Sequence, residues 1–463
     1  MRRVLLALLP LTLLLAACQT DVTMGAVCSP GGDPTSTDGT YVMVCRDGRW
    51  TPIMTAAEFV KIGRGEDVTI APLPALPEVE STPPTTGAPA ATTTTAVPAT
   101  TTTTTIPTGS FAALSGGQDH TCALTPQGGV KCWGGGPKGQ LGHGVAGYAQ
   151  TMVDVTGLTS GAAQVSSGRY HTCALTTAGG VKCWGQVLGD SSPYSPATVT
   201  SPVDVAGLTS GVVQISSGDN HACAVTDAGA VKCWGKNDSG QLGDGTTTNR
   251  LTPVDVVGLG SGIRSVEAGD RHTCVVTTAG GMKCWGRNYG GQLGDGTNTP
   301  STLPVDVVGL SSSVSSIDLA NEFTCAVLTT GGVSCWGYNF FGPVGDGSTT
   351  DRWVPTQVAG LTSGVAAVST GYMTACVLMT GGGVKCWGYN GSGGLGDGTT
   401  TNRSTPVDVV GISNAISVGS GQYHACAVLV GGDAECWGYN NTWQLGDQTR
   451  TNSSVPIAVL GPV

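Results

Sequence analysis

Two cysteines ten residues apart recur along the C-terminal three quarters of this 463-residue chain. The first pair lies in the stretch HTCALTPQGGVKCWG, which begins at His120, and near copies follow every 50 or 51 residues. A repeat of this length with four short strand signals indicates a propeller in which each repeat forms one blade. We therefore predict an all-β fold, a seven-bladed β-propeller of four-stranded blades over residues 110–463, with repeats of about 51 residues.

The third repeat shows the four strands that a blade requires. Its strand-like segments are Val212–Ser216, His221–Thr226, Ala230–Gly235 and Pro253–Gly258, with polar or Gly-rich turns between them. No part of the repeat has a helical period of apolar residues. The composition agrees, because 73 glycines and only 11% charged residues are typical of short strands joined by tight turns.

The two cysteines of a repeat are expected to face each other across a β-hairpin. A three-residue turn centred on Ala228 places Cys223 opposite Cys233, in a non-hydrogen-bonded pair whose Cα atoms lie about 4.5 Å apart. A disulfide can span that distance. Metal ligation and redox catalysis are the alternatives, but C-x9-C lacks the short spacing of zinc sites and no C-x-x-C occurs. We predict seven blade disulfides: Cys122–Cys132, Cys173–Cys183, Cys223–Cys233, Cys274–Cys284, Cys325–Cys335, Cys376–Cys386 and Cys426–Cys436.

The chain begins with MRRVLLALLPLTLLLAAC, which has the pattern of an export signal. Two arginines precede an apolar run that is too short to span a membrane. Its end, Leu15–Cys18, resembles a bacterial lipobox, in which the cysteine is lipidated and becomes the first residue of the mature chain. We predict a signal peptide over residues 1–17 and a lipid on Cys18. This lipid would anchor the chain to the outer face of the cytoplasmic membrane, or to the outer membrane if the source has one; an ordinary signal peptide is the alternative.

Two segments separate the signal from the propeller. Residues 18–77 contain the phrase YVMVCRDGRWTPI, whose alternation around Asp47-Gly48 predicts a small hairpin stapled by a Cys28–Cys45 disulfide. Residues 78–109 are nearly all Thr, Pro and Ala. Because such a tract cannot bury a core, we predict a disordered linker that would span roughly 100 Å if it is polyproline-like.

The loop that follows the second cysteine carries a more specific signal. Trp234-Gly235 is followed by GQLGDG at Gly240–Gly245, and the next repeat has the same two phrases. These phrases resemble the regulator of chromosome condensation repeat family, and the resemblance covers all seven repeats and implies a seven-bladed propeller. WD and kelch repeats are the alternatives at the level of the fold. The second repeat departs from the pattern with the loop QVLGDSSPYS, and His143 replaces the loop Asp in the first.

The resemblance also suggests activities. Members of the family exchange nucleotide on the small GTPase Ran in the nucleus. The export signal and the lack of a long insertion between strands argue against that activity here. Secreted bacterial propellers of similar shape include a β-lactamase inhibitor, which makes protein binding a closer analogy, although a shared fold does not establish a shared function.

Candidate binding residues are sought where the repeats differ, because positions that recur in every blade are explained by the blade itself. The turn between the first and second strands varies, and these turns gather on one face of a propeller. Aromatic residues, which commonly anchor protein or sugar ligands, concentrate in the last three repeats. The candidate binding residues are Arg169, Tyr170, Asp219, Asp270, Arg271, Glu322, Tyr372, Tyr423 and Trp443.

Two recurring polar positions have structural and metal-binding interpretations. Five repeats place a histidine two residues before the first cysteine, at His120, His171, His221, His272 and His424. We expect a repeated structural hydrogen bond there, with a metal-binding ring as the alternative. The loop acids, Asp244 among them, offer one carboxylate per loop, so we expect Asp-Gly turns and not calcium sites.

The sequence predicts a binding protein and no enzyme. It contains no H-E-x-x-H, no G-x-S-x-G and no visible central cluster of acids or histidines, so we predict no catalytic residues, metal or cofactor. A net charge of −10 without a basic run argues against nucleic acid. We predict a monomeric cell-surface lipoprotein whose propeller binds an unidentified extracytoplasmic protein or wall glycan. The alternatives are a carbohydrate-binding module and a guanine nucleotide exchange factor-like activity.

Overall fold

The computed structural model describes the backbone of residues 41–46 and 49–55, and all atoms of residues 111–186 and 198–461. Strands β1 (Tyr41–Arg46) and β2 (Arg49–Thr55) pair antiparallel with Arg46 opposite Arg49, which confirms the predicted hairpin. The predicted signal peptide 1–17, Cys18, Cys28 and the linker 78–109 lie outside the described residues. The Cys28–Cys45 disulfide therefore stays a prediction.

Seven four-stranded antiparallel sheets follow, one for each repeat, as predicted. Blade 1 consists of β3 (Ala113–Gly116), β4 (His120–Leu124), β5 (Val130–Gly134) and β6 (Ala149–Asp154). Blade 2 consists of β7 (Ala162–Ser167), β8 (His171–Thr176), β9 (Val181–Gln186) and β10 (Thr198–Asp204). Blade 3 consists of β11 (Val212–Ser217), β12 (His221–Thr226), β13 (Val231–Gly235) and β14 (Arg250–Asp255). Blade 4 consists of β15 (Ile263–Ala268), β16 (His272–Thr277), β17 (Met282–Gly286) and β18 (Ser301–Asp306). Blade 5 consists of β19 (Val314–Leu319), β20 (Phe323–Leu328), β21 (Val333–Gly337) and β22 (Arg352–Gln357). Blade 6 consists of β23 (Val365–Thr370), β24 (Thr374–Met379), β25 (Val384–Gly388) and β26 (Arg403–Asp408). Blade 7 consists of β27 (Ala415–Ser420), β28 (His424–Leu429), β29 (Ala434–Gly438) and β30 (Ser453–Ala458).

The hairpin between the second and third strands of each blade has the predicted register. In blade 3, Cys223 lies opposite Cys233 and Val225 lies opposite Val231. The third turn residue is a left-handed glycine in all seven blades, with φ between 73° and 90°. All seven predicted blade disulfides are present, with Cα atoms 4.0–4.1 Å apart.

The fourth strand of blade 3 differs from the prediction, because it spans Arg250–Asp255 and not Pro253–Gly258. The strand ends where the backbone N–H of Val256 donates to the carbonyl of Val231, at 3.1 Å. The next N–H, of Val257, donates to the carbonyl of Gly243 in the preceding loop, at 3.0 Å. These two bonds lead the chain out of the ladder, and the alternating apolar sequence does not reveal them.

At four junctions of the described residues, neighbouring blades are joined by one carbonyl that accepts two hydrogen bonds. The indole Nε1 of Trp285 in blade 4 donates to the carbonyl of Gln241 in the loop of blade 3, at 2.9 Å. The Thr273 hydroxyl donates to the same carbonyl at 2.8 Å. Gly243 provides the space for the ring, because a Cβ there would lie 2.7 Å from the indole Nε1. This contact explains why Trp-Gly and GQLG recur together.

The ring closes with the same contact and without exchange of a strand between blades 1 and 7. Trp133 Nε1 and the Thr121 hydroxyl of blade 1 each donate to the carbonyl of Gln444 in blade 7, both at 2.9 Å. The innermost strands of the two blades, β3 and β27, are neighbours like those of the other adjacent blades.

Among the described residues no helix is both long and apolar enough to cross a membrane.

The loop acids are used within their own loops. Asp244 Oδ1 accepts hydrogen bonds from the Thr246 hydroxyl at 2.7 Å and from Asn237 Nδ2 at 3.1 Å, and Asp244 Oδ2 pairs with Arg250 at 2.7 Å. Burial raises the pKa of Asp244, but the bonds from Thr246 and Arg250 outweigh it and hold the pKa below its ordinary value. The carboxylate therefore has a full set of protein partners.

Four of the five recurring histidines make the predicted structural hydrogen bond. His221 Nε2 lies 2.9 Å from the Thr273 hydroxyl of the next blade. Because that hydroxyl donates to the carbonyl of Gln241, it accepts from the histidine, which is the Nε2–H tautomer. Burial lowers the pKa of His221 to about 3, so the ring is neutral. In blade 5 an apolar pair, Phe323 and Ala375, replaces the histidine and its threonine.

One histidine lacks its partner. His171 Nε2 makes no hydrogen bond, because blade 3 has Ala222 where blades 1, 2, 4 and 5 have a threonine such as Thr273. We expect Ala222→Thr to supply the missing acceptor and to stabilise the propeller by about 1 kcal/mol. Thermal unfolding of the oxidised chain should show a Tm higher by roughly 1–3 °C.

Ala375→Thr is the matched control. It introduces the same hydroxyl opposite the apolar Phe323, where no histidine can donate to it, and it should lower the Tm. An Ala222→Thr variant that is no more stable than the parent would contradict the proposed donor role of His171.

Candidate functional site

The first strands of the seven blades surround a central cavity of about 260 Å³. Its mouth is a ring of seven residues, one from each turn between the first and second strands. We call these residues the mouth ring: Gln118, Arg169, Asp219, Asp270, Asn321, Tyr372 and Gln422. These turns gather on one face, as predicted, and four of the nine candidate binding residues belong to the ring.

Tight backbone packing holds the mouth ring in place. A Cβ at Gly218, which precedes Asp219, would lie 2.1 Å from the carbonyl of Gly269 in the next blade. The N–H of Asp219 donates to that same carbonyl at 3.2 Å. Tyr372 makes the equivalent bond to the carbonyl of Gln422, at 2.9 Å. Five of the seven turns are fixed to a neighbour by such a backbone bond, and their variable side chains are free to face the channel.

Two carboxyl groups lie side by side in the mouth ring. The carboxyl groups of Asp219 and Asp270 are close enough for each to shift the pKa of the other. Arg169 Nη1 lies 3.7 Å from Asp219 Oδ2, and Gln422 Nε2 lies 3.4 Å from the same carboxylate. Burial, together with the neighbouring Asp270 carboxylate, raises the pKa of Asp219 to about 7 against the opposing effect of Arg169. The pair therefore holds a proton near neutral pH.

A second pair of acids lies deeper in the cavity, at Glu267 on β15 and Asp318 on β19. Glu267 accepts hydrogen bonds from the Ser216 hydroxyl at 2.7 Å and from Gln214 Nε2 at 3.3 Å, and Asp318 Oδ2 accepts one from the N–H of Thr370 at 2.6 Å. Burial raises the pKa of Glu267 to about 8, with the Asp318 charge adding to the effect, and burial raises that of Asp318 to about 6.

The expectation that the sequence holds no central cluster of acids is wrong. Glu267 and Asp318 lie inside strands and not in the variable turns, and 51 residues separate them in the sequence. A signal was present in the repeat alignment, because the other five blades have a small neutral residue at this position. These residues are Ser115, Ser166, Ser216, Ser369 and Gly419.

The small residues at this position join one blade to the next. The N–H of Ser167 donates to the Ser115 hydroxyl, and the N–H of Ser217 donates to the Ser166 hydroxyl, both at 2.9 Å. Asp318 does the same for Thr370 through its carboxylate. A serine therefore suffices for the structural bond, and the charge of the two acids is not required by the fold.

A run of aromatic side chains lies beside the mouth, on blades 5 to 7. We call it the aromatic patch: Tyr338, Phe340, Phe341, Tyr372, Tyr389, Tyr423 and Tyr439. Ring centroids are 4.9 Å apart for Phe340 and Phe341, and 5.3 Å apart for Tyr372 and Tyr423. Phe340 is 62% exposed. Burial raises the pKa of Tyr423 to about 12, and Tyr372 and Tyr389 add to the shift. Tyr372 belongs both to the patch and to the mouth ring.

The remaining candidates occupy three places. Tyr170, Arg271 and Glu322 lie in the turns of the mouth ring, each directly after a ring residue. Arg271 pairs with Asp270 at 3.5 Å, and Glu322 pairs with Arg287 at 2.7 Å. Tyr423 lies in the aromatic patch.

Trp443 belongs to neither group. Its ring lies 5.9 Å from that of Tyr148 in blade 1 and 4.5 Å from the guanidinium carbon of Arg450.

Among the described residues, no group of three His, Cys, Asp or Glu side chains could hold a metal ion.

Glu267→Gln should change how stability depends on pH. The pKa of Glu267 is raised in the folded chain, from 4.5 to about 8, so its proton stabilises the fold below pH 4.5 and that stabilisation is lost as the pH rises toward 8. The variant should therefore unfold at a Tm roughly 1–3 °C above the parent at pH 8.5, and close to the parent at pH 4.5.

Asp255→Asn is the control for this experiment. It removes an exposed carboxylate that pairs with Lys232 at 2.6 Å, far from the channel, and should leave the difference between the two pH values unchanged. A Glu267→Gln variant that follows the parent at both pH values would contradict the raised pKa.

Two models of known protein families match the chain. The RCC1-like domain matches residues 60–366, and the regulator of chromosome condensation (RCC1) repeat matches residues 382–428. The ultraviolet-B receptor UVR8 of Arabidopsis thaliana is 30% identical over 308 residues, which are 65% of this chain and 58% of the receptor. The E3 ubiquitin-protein ligase HERC2 of Homo sapiens is 30% identical over 303 residues, 64% of this chain and 5% of the ligase. The chain thus spans little more than half of one relative and a small part of the other.

Solved structures show the same fold at lower identity. Prp20p of Saccharomyces cerevisiae, whose binding to Gsp1p and histones was studied with its structure, has a TM-score of 0.59 at 20% identity, over 66% of this chain and 80% of its own. The same yeast protein bound to Kap60 has a TM-score of 0.62 at 20% identity, over 76% and 85%. Human WBSCR16 has a TM-score of 0.63 at 20% identity, over 72% and 94%.

Proposed function

This chain belongs to the regulator of chromosome condensation repeat family, and we propose that it is a non-catalytic scaffold that binds a protein partner through the aromatic patch. The partly exposed run of rings on blades 5 to 7 carries the proposal. Binding of proteins by a propeller of this family has a precedent in Prp20p, which binds Kap60. The ligase activity of HERC2 is not proposed, since the chain corresponds to 5% of that protein.

The chemistry of the patch suits a protein interface. Interfaces are rich in Tyr and Phe at their centres and polar at their rims. Phe340 and Phe341 supply apolar area, while the tyrosines add hydroxyl groups that can bond a partner. The mouth ring adjoins the patch at Tyr372 and supplies charged residues on one side. A partner would therefore meet an apolar centre and a charged border on the same face.

Location is the second part of the proposal. We infer from the lipobox at Leu15–Cys18 that a lipid on Cys18 holds the chain at the outer face of a membrane. The Thr- and Pro-rich tract at residues 78–109 would then separate the propeller from the lipid surface. A partner in the cell envelope fits this arrangement, and nucleotide exchange on a nuclear GTPase does not.

Removal of two aromatic rings tests the binding proposal. The full chain, immobilised with its disulfides intact, should retain one protein from the envelope extract of the source cell. Phe340→Ala combined with Tyr423→Ala should reduce that retention at least about tenfold, because central aromatic residues dominate interface energies. The retained protein and its amount are measured by mass spectrometry.

Two single variants serve as controls. Tyr289→Ala removes a ring that is 68% exposed on blade 4, and Trp443→Ala removes the ring that packs on Tyr148; neither ring belongs to the aromatic patch. Both variants should retain the partner at the level of the parent. Wall glycan retained without protein would favour the carbohydrate-binding alternative. No retention above a chain with scrambled disulfides would overturn the proposal.

Cys18→Ser tests the anchor. The thioether on which a lipid depends cannot form on serine, so the variant should appear in the soluble fraction, whereas the parent stays with membranes. Incorporation of radiolabelled palmitate should be lost together with membrane association. A variant that remains on membranes as the parent does would rule out the lipid anchor.

A further inference from the structure

The central cavity contains more negative than positive groups. The charged residues that line it are four acids, Asp219, Glu267, Asp270 and Asp318, and one base, Arg169. If all five are ionised, their net charge is −3. Arg271, which does not line the cavity, pairs with Asp270 at 3.5 Å, so two of the negative charges stay without a positive partner. Carboxylates removed from bulk water are costly unless a positive group pairs with them. The charge balance of the cavity therefore suits a cationic ligand.

The acids are not required by the blade. At the position of Glu267 and Asp318 the other five blades have serine or glycine, and a serine hydroxyl makes the structural bond to the next blade. In the mouth ring the corresponding residues of blades 1, 5 and 7 are the neutral amides Gln118, Asn321 and Gln422. All four acids lie on blades 3 to 5, so the negative charge is concentrated on one wall of the channel.

The four acids form two pairs at different depths. Asp219 and Asp270 lie at the mouth, while Glu267 and Asp318 lie on the strands below it. Glu267 precedes Asp270 by three residues on the same blade, and a strand rises about 3.3 Å per residue, so the pairs are separated by up to roughly 10 Å along the channel. Two ammonium groups on one linear chain of this length could each meet a pair.

A buried hydroxyl beside the deeper pair makes no hydrogen bond of regular geometry, although it lies close enough to Asp318 to lower the pKa of that carboxyl. It belongs to Thr370, which lines the cavity and is only 8% exposed. Its backbone N–H donates to Asp318 Oδ2 at 2.6 Å, which places the residue next to that carboxylate. An ammonium has three donors, and Glu267, Asp318 and the Thr370 hydroxyl together offer three acceptors.

We propose that the central channel binds a linear diamine or polyamine, with one ammonium at Asp219 and Asp270 and another at Glu267 and Asp318. The cavity of about 260 Å³ holds roughly eight waters at about 30 Å³ each, which is the space of a chain of eight to ten non-hydrogen atoms. Among the described residues the acids do not form a group that could hold a metal ion, which favours an organic cation. This site does not depend on the aromatic patch.

Calorimetry with the full chain at pH 8.5 tests the proposal. Spermidine and 1,7-diaminoheptane should bind one per chain, at least about tenfold more tightly than heptylamine, which has a single ammonium. A short diamine, 1,3-diaminopropane, should bind no better than heptylamine, because it cannot reach both pairs. Glu267→Gln combined with Asp318→Asn should reduce the affinity for spermidine to that for heptylamine.

Asp255→Asn combined with Asp306→Asn is the matched control. It removes two carboxylates on the outermost strands of blades 3 and 4, each paired with a lysine of the adjacent strand. It should leave the affinity for spermidine within about twofold of the parent. Equal affinities for long diamines and heptylamine in the parent chain would overturn the proposal. So would an equal loss in the control variant, which would indicate attraction by net charge alone. Binding of N-acetyl-lysine amide as tight as that of spermidine would also overturn it and assign the channel to the lysine of a protein.

Discussion

Among the described residues, a single loop carbonyl connects each of six blades to the next one around the ring. In blade 3 the Gln241 carbonyl accepts the Trp285 indole and the Thr273 hydroxyl of blade 4, and His221 then donates to the same hydroxyl. A buried carbonyl without donors would be costly, so the three side chains and the loop stabilise one another. Because blades 7 and 1 make the same contact, the ring closes without an exchanged strand.

This contact leaves other positions free to vary. The signature residues face neighbouring blades, whereas the mouth ring and the aromatic patch occupy positions that the contact does not use. Blade 4 shows the consequence, because Trp285 maintains the ring while Glu267 and Asp270 bring charge into the channel. The scaffold and the candidate sites are therefore separable, and substitutions at the mouth should alter binding with little effect on the fold.

The sequence predicted the local features of the blades well. The glycine of the hairpin turn, Gly229 in blade 3, requires a left-handed conformation and so sets the register that brings Cys223 to Cys233. The end of the fourth strand could not be predicted in the same way, because Val257 leaves the ladder for a bond to Gly243, fourteen residues earlier. The candidate site was predicted in part: the mouth turns were found, but the acids inside the strands were missed.

By itself the sequence determined the number of blades, the register of their hairpins and the pairing of their cysteines, because each depends on residues within one repeat. Only the tertiary structure decided which side chains share a site. Closure of the ring brings Gln422 within 3.4 Å of Asp219, although 203 residues separate them, and it places Glu267 beside Asp318. Distances across a closed ring depend on how all seven blades pack, and no single repeat encodes them.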